Sequence, residues 1–171
     1  RFQLLKAMVD NGHRVTAYGP EPHEPTIDAL ETIGVTFEPV PMARTGLNPF
    51  QDLRTLLALY ARFRRSDPDM VLCYTMKPVI YGLTAARLAG VRERHALMTG
   101  LGYIFSEDPD NRRLPLLRRL ATLLYRLALA GNGRVFVYNA ADASDIVNGG
   151  MVSGPDRIVP VPGSGVDLTR F

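Results

Sequence analysis

The sequence predicts an α/β protein built on a doubly wound parallel sheet, three layers thick, with helices over both faces. Three observations carry that expectation. Helical and strand-like segments alternate along the chain. The run "DPDMVLCYT" is almost continuously apolar, as a strand is when both faces of its sheet are covered. Several helical segments close on glycine, the residue that most readily takes the left-handed backbone of a helix end.

Taken in order, "FQLLKAMVDNG" places Leu4, Leu5, Met8 and Val9 at helical spacing, and Asn11-Gly12 stops the helix. "HRVTAYG" reads as a strand ended by Gly19-Pro20. Residues 24–33 form a short helix, followed by Gly34 and the strand "VTFEPV". The loop "PMARTGLNP" leads into a long helix from Pro49 to Arg65, with Asn48 as N-cap and Pro49 at the first helical position. After the strand "DPDMVLCYT", "KPVIYGLTAARLAG" is a helix closed by Gly90. "RHALMTG" is a strand, "LGYIFSEDPDN" a loop, and 112–130 a helix with Pro115 in its first turn. "GRVFVYN" is a strand, "AADASDIVNGG" a helix with a glycine stop, and "RIVPV" a last short strand. One domain is expected over 1–161, with 162–171 as the exit from it. Sheets of this kind begin with a central strand, whereas this chain begins inside a helical pattern. That strand is therefore expected just upstream of Arg1.

Composition narrows the function classes. With 171 residues, 46% hydrophobic and 22% charged, the chain can bury one core of ordinary size and is not of disordered type. No apolar run approaches the roughly 18–20 residues of a membrane-spanning helix. The net charge is +3, and 18 of the 20 basic residues are arginine, Lys6 and Lys77 being the exceptions. No ladder of aromatics interleaves these cations, so nucleic acid is not an expected partner. The lone Cys73 excludes an internal disulfide and a cysteine-based zinc site, and points to a reducing compartment. Mid-strand, it reads as a small buried hydrophobe. His13, His23 and His95 form no constellation, and no metal site is expected.

In open parallel sheets, ligands bind where strands give way to loops at their carboxyl ends. The loop "YTMKP" brings Thr75 and Lys77 to a helix start, where backbone N–H groups favour an anion; a solvated loop cation is the alternative. Gly100 and Gly102 in "TGLGYIF" either let the backbone approach a ligand or serve a turn. Neither "GLGYIF" nor "GSGVDL" satisfies G-x-G-x-x-G, and no phosphate-loop motif is present, which disfavours a nicotinamide-dependent enzyme. Glu107 and Asp108 lie in a stretch of loop composition.

The helix of residues 112–130 carries Arg112, Arg119 and Arg126 at seven-residue spacing, along one face. Leu116, Leu117, Leu120, Leu123, Leu124 and Leu127 give it a broad apolar side. Two readings stand: a core-packed helix with a solvated arginine edge, or a basic surface set against anionic lipid headgroups.

Taken together and in register, these segments resemble the N-terminal domain of glycosyltransferase family 4, over essentially the whole chain. The matching stretches are "LLKAMVDNGHRVTAYG", "RTGLNPFQDLRTLLALYARFRRSDPDMV", "KPVIYGLTAARLAGV", "TGLGYIF" and "VPGSGVDLTRF". They are most similar to the branch that builds bacterial surface polysaccharides. The resemblance implies a GT-B architecture of two Rossmann-like domains facing a cleft. This chain would be the acceptor side, and the absent C-terminal domain would hold the nucleotide-sugar. It implies a retaining, metal-independent transfer, without cofactor, to a lipid-linked or saccharide acceptor. The site implied is cytoplasmic, at the inner face of the plasma membrane.

The cleft-lining residues expected on this basis are Arg1, Arg44, Thr75, Lys77, Tyr81, Thr99, Gly100, Gly102, Tyr103 and Asn139. Gly163, Ser164, Gly165 and Asp167 would form the interdomain hinge. Many family members end the strand corresponding to 94–99 with a histidine. Here it ends in Thr99-Gly100, so no catalytic residue is carried over. The fragment alone is expected to be inactive. The competing expectation is a stand-alone Rossmann-like module that binds a ligand or partner without catalysis.

Overall fold

Among the described residues every strand pair is parallel, and each consecutive pair of strands is joined through at least one helix. The computed structural model describes residues 2–21, 24–43, 48–101, 105, 114–131 and 133–163. Packing divides the chain into two compact units, Arg1–Ala58 and Leu59–Phe171. The architecture is α/β with parallel sheets and flanking helices, the Rossmann-like class the sequence predicts.

The first unit opens with α1 (Phe2–Asp10), which ends as its Asn-Gly pair predicts: Gly12 takes φ +87° and its N–H donates to Val9 O at 2.9 Å. β1 (Thr16–Gly19) and β2 (Thr36–Pro39) pair in register from Thr16 beside Thr36 to Gly19 beside Pro39, with α2 (Glu24–Thr32) as the crossover. Leu30, Val35 and Val40 are buried and supply this unit's core. α3 (Pro49–Ser66) starts as expected, with Asn48 Oδ1 accepting from the N–H groups of Phe50 and Gln51 at 3.1 and 3.3 Å. In its second turn the buried Thr55 places Oγ1 2.5 Å from Pro41 O, which fixes the loop after β2 against the helix.

The second unit is a four-stranded sheet in the order β3 (Met70–Tyr74), β4 (Glu93–Met98), β5 (Val135–Val137), β6 (Ile158–Pro160). α4 (Leu83–Ala89), α5 (Leu114–Ala128) and α6 (Ala140–Asn148) make the crossovers. Ala96, Leu97 and Met98 of β4 are buried in succession, so both faces of that strand are covered, while Val135 and Val137 of β5 are buried on one face with Phe136 between them half-buried. Fully buried Val79, Ala85, Ala86, Tyr125 and Ile146 complete the core. Gly90 closes α4 at φ +88°, as predicted.

Two features depart from the expectation. The segment read as one helix from Lys77 to Gly90 contains a π-helical turn over Pro78–Gly82. And α5 does not bury its whole leucine side: Leu116, Leu120, Leu123 and Leu127 are exposed, while Ala121, Tyr125, Ala128 and Leu129 face inward. That inward face packs against the π turn and α4, and the leucines lie on the side turned away from them.

Candidate active-site rim

Parallel strands end at the same edge of their sheet, so the loops leaving β3 to β6 gather along one rim. Register fixes which residues meet there. Tyr74 lies beside Leu97, Met98 beside Val137, and Val137 beside Pro160. The residues that follow, Thr75, Thr99-Gly100, Tyr138-Asn139 and Val161 to Gly163, leave the sheet side by side. Five of the residues expected from the sequence, Thr75, Thr99, Gly100, Asn139 and Gly163, are thereby brought to one edge.

Thr75 has φ +70°, a left-handed conformation that a β-branched residue adopts at a cost on the order of 1–2 kcal/mol. Its carbonyl accepts from Val79 N–H at 3.0 Å and so opens the helix that follows, while the residue itself stays exposed. A turn set this way reverses the chain within a few residues of the strand end. Lys77 is not a loop cation: it is helical (φ −65°, ψ −47°) and half-buried. Tyr81, also half-buried, sits in the π turn, an element that recurs at functional sites because it re-aims side chains by one position. Gly82 is required there. A Cβ at this position would come 2.6 Å from Cys73 Sγ, so the turn lies directly against β3. Cys73 is a buried hydrophobe as expected, its thiol pushed up to about 12 by desolvation.

Gly100 (φ +131°) and Gly163 (φ +104°) both need the left-handed backbone, and a Cβ at either would meet no atom of the described residues within 4 Å. Asn139 is occupied locally: Oδ1 accepts from Asp142 N–H at 2.7 Å, and Nδ2 donates to Asp142 Oδ2 at 2.8 Å. It caps α6 and fixes where that helix begins. In the first unit, the carboxyl ends of β1 and β2 border two shallow depressions. One, of about 350 Å³, is lined by Pro20, Glu21, Pro39, Val40, Pro41 and Met42; the other, of about 250 Å³, by Pro41, Met42, Ala43, Gln51 and Arg54.

Arg1, Arg44, Gly102, Tyr103, Arg112, Ser164, Gly165 and Asp167 lie outside the described residues. Arg119 is exposed on α5. Arg126, on the same edge, turns its guanidinium to the end of α6, with Nε 2.8 Å from Gly150 O and Nη2 3.4 Å from Gly149 O.

Two residues were not foreseen. Tyr125 is fully buried, with its ring 6.3 Å from that of Phe105 and no hydrogen-bond partner for its hydroxyl among the described residues. Burial, and secondarily the charge of Asp142, pushes its phenol up. The cue was its place on α5, on the side opposite the Leu116–Leu127 stripe. Arg157 is buried and donates to Gly133 O through Nε and Nη2 and to Leu129 O through Nη1, all within 2.8 Å. Desolvation lowers its pKa, Asp156 opposing the shift and Arg94 adding to it. No single-sequence signal separates this arginine from the other seventeen.

The rim therefore offers hydroxyls, a lysine, approachable backbone and two helix starts, a set suited to orienting a polyhydroxylated or anionic ligand. No group of three or more His, Cys, Asp or Glu side chains able to hold a metal occurs among the described residues. No helix among them is long and apolar enough to cross a membrane.

Residues 2–163 match the family description of the glycosyl transferase 4-like domain. The chain is also 23% identical, over its whole length, to the N,N'-diacetylbacillosaminyl-diphospho-undecaprenol alpha-1,3-N-acetylgalactosaminyltransferase of Campylobacter jejuni subsp. jejuni serotype O:2. It spans 44% of that relative's length.

Proposed function

Because the chain belongs to the glycosyl transferase 4-like family, we propose that it is the acceptor-binding half of a retaining, metal-independent glycosyltransferase. The enzyme moves a sugar from a nucleotide-sugar to a lipid-linked or polysaccharide acceptor, on the cytoplasmic side of a membrane. The observation that supports this reading best is the single rim on which Thr75, Thr99, Gly100 and Asn139 leave adjacent parallel strands. The relative's name specifies a sugar carried on diphospho-undecaprenol, and an acceptor of that kind fits a rim that mixes hydroxyls with a cation at a helix start.

In this reading Thr75, Lys77, Tyr81, Thr99 and Gly100 orient the acceptor, and the segment from Gly163 to Asp167 leads to a second domain that holds the donor. Most of the rate gain then comes from positioning and from stabilising the departing diphosphate. The test is product formation by the full-length protein with a panel of nucleotide-sugars and a detergent-solubilised polyprenyl-diphosphate-linked sugar. The anomeric configuration of the product is read by NMR, with and without chelator. Retained configuration and chelator-insensitive turnover are expected. Absence of transfer across the panel, or an inverted product, rejects the reading.

A further inference from the structure

We propose that the two depressions at the carboxyl ends of β1 and β2 act as one trough that seats a sugar ring. Prolines and Met42 lie against the C–H face of the ring, and Glu21, Gln51 and Arg54 take its hydroxyls. That the sugar belongs to the acceptor rests on the proposed function; the binding itself does not.

The depressions, of about 350 and 250 Å³, share Pro41 and Met42 and therefore adjoin. The larger falls within the roughly 300–1,000 Å³ of small-molecule sites. Their position follows from topology, because parallel strands present ligand sites at their carboxyl ends. Both walls are fixed before a ligand arrives. Val40 N–H donates to Gly19 O at 2.7 Å, which carries the tie between β1 and β2 past the strand ends. Thr55, 1% exposed, holds Oγ1 2.5 Å from Pro41 O and 3.0 Å from Gln51 O. It thereby pins the loop after β2 to the turn of α3 that bears Gln51 and Arg54. A site ordered in advance costs its ligand less on binding.

The lining selects the ligand. Proline has no N–H to offer, so the floor is apolar. Glu21 lines one depression and Gln51 and Arg54 the other. Glu21 and Arg54 are exposed, and neither holds an ion pair among the described residues. A phosphate would confront the Glu21 carboxylate, and a hydrocarbon would use neither charge. A neutral polyhydroxylated ring uses both, since each hydroxyl donates to a carboxylate and accepts from a guanidinium. Phe50 adds a second surface. It is 85% exposed and precedes Arg54 by one helical turn, on the same side of α3. A bare aromatic there suits the apolar face of a sugar.

The experiment is saturation-transfer NMR on the full-length protein, with the methyl glycosides of N-acetylgalactosamine, N-acetylglucosamine and glucose as probes. Transfer to the ring protons of at least one glycoside is expected. Glu21→Ala and Arg54→Ala should each weaken its binding about five- to tenfold, and Phe50→Ala about threefold. All three side chains are exposed, so the variants should fold like the wild type. In the transfer assay the same variants should raise KM for the sugar-bearing acceptor. The KM for the nucleotide-sugar and kcat should stay unchanged.

Two outcomes overturn the proposal. In the first, no glycoside binds, or every variant binds it like the wild type. In the second, farnesyl phosphate, which carries no sugar, loses binding in the variants while the glycosides do not, which assigns the trough to lipid. Unaltered acceptor KM in variants of an active enzyme likewise sinks the trough and leaves the proposed function intact. Failure of the wild type to transfer sugar sinks the proposed function and leaves the glycoside result standing.

Discussion

Arg126 reaches from α5 to the end of α6, where its Nε lies 2.8 Å from Gly150 O. A helix C-terminus exposes carbonyls and the negative end of the dipole, and a guanidinium there satisfies both. Arg126→Ala should destabilise the protein by about 1 kcal/mol, discounted for exposure. The measurement is a urea midpoint. If the midpoint does not move, the contact contributes nothing to stability.

Gly82 and Cys73 form a steric pair. Gly82→Ala puts a methyl 2.6 Å from Sγ and should cost about 1–3 kcal/mol. Combining it with Cys73→Ala removes the clash. A double-mutant cycle should therefore show strong positive coupling, and simple additivity would mean that the π turn yields freely.

The Cys73 thiol also predicts a pH dependence. Its folded value is raised from 9.0 to about 12, so the unfolded chain loses this proton first. The contribution to stability is complete below pH 9 and declines as pH rises from there toward 12. Over that window the stability of Cys73→Ala should fall less steeply than that of the parent. Equal slopes would place the titration elsewhere.

Tyr125 carries a buried hydroxyl without a partner among the described residues. Tyr125→Phe keeps the ring against Phe105 and removes the desolvated group. It should leave stability unchanged or raise it by up to about 1–2 kcal/mol. A loss larger than this would reveal a partner for the hydroxyl.

Thr75 couples strain to the rim. Thr75→Gly should relieve the left-handed backbone and raise stability by about 1 kcal/mol. If its hydroxyl orients the acceptor, kcat/KM of the full-length enzyme should fall in both Thr75→Gly and Thr75→Ala. Only the glycine should gain stability.

Much of this fold is legible in the chain because its signals are local. Asn48-Pro49, Gly90 and Asn11-Gly12 act within one helical turn, and each does what its chemistry predicts. The site is legible in part for a different reason: parallel topology gathers strand ends, so naming the strands names Thr75, Thr99 and Asn139. What escaped depends on partners far along the sequence. The π turn is set by Gly82 against Cys73, the burial of Arg157 by carbonyls more than twenty residues away, and the outward leucines by which side of α5 meets the π turn and α4. A hydrophobic period shows that a helix has an apolar side. It does not say how much of that side finds a neighbour.

The order β3-β4-β5-β6 has a consequence for how the protein is made. From β4 onward, each strand of this sheet pairs with the one that left the ribosome immediately before it, so β3 to β6 can be added in order of synthesis. A rim assembled that way has its turns laid down one at a time, Thr75 first and Gly163 last.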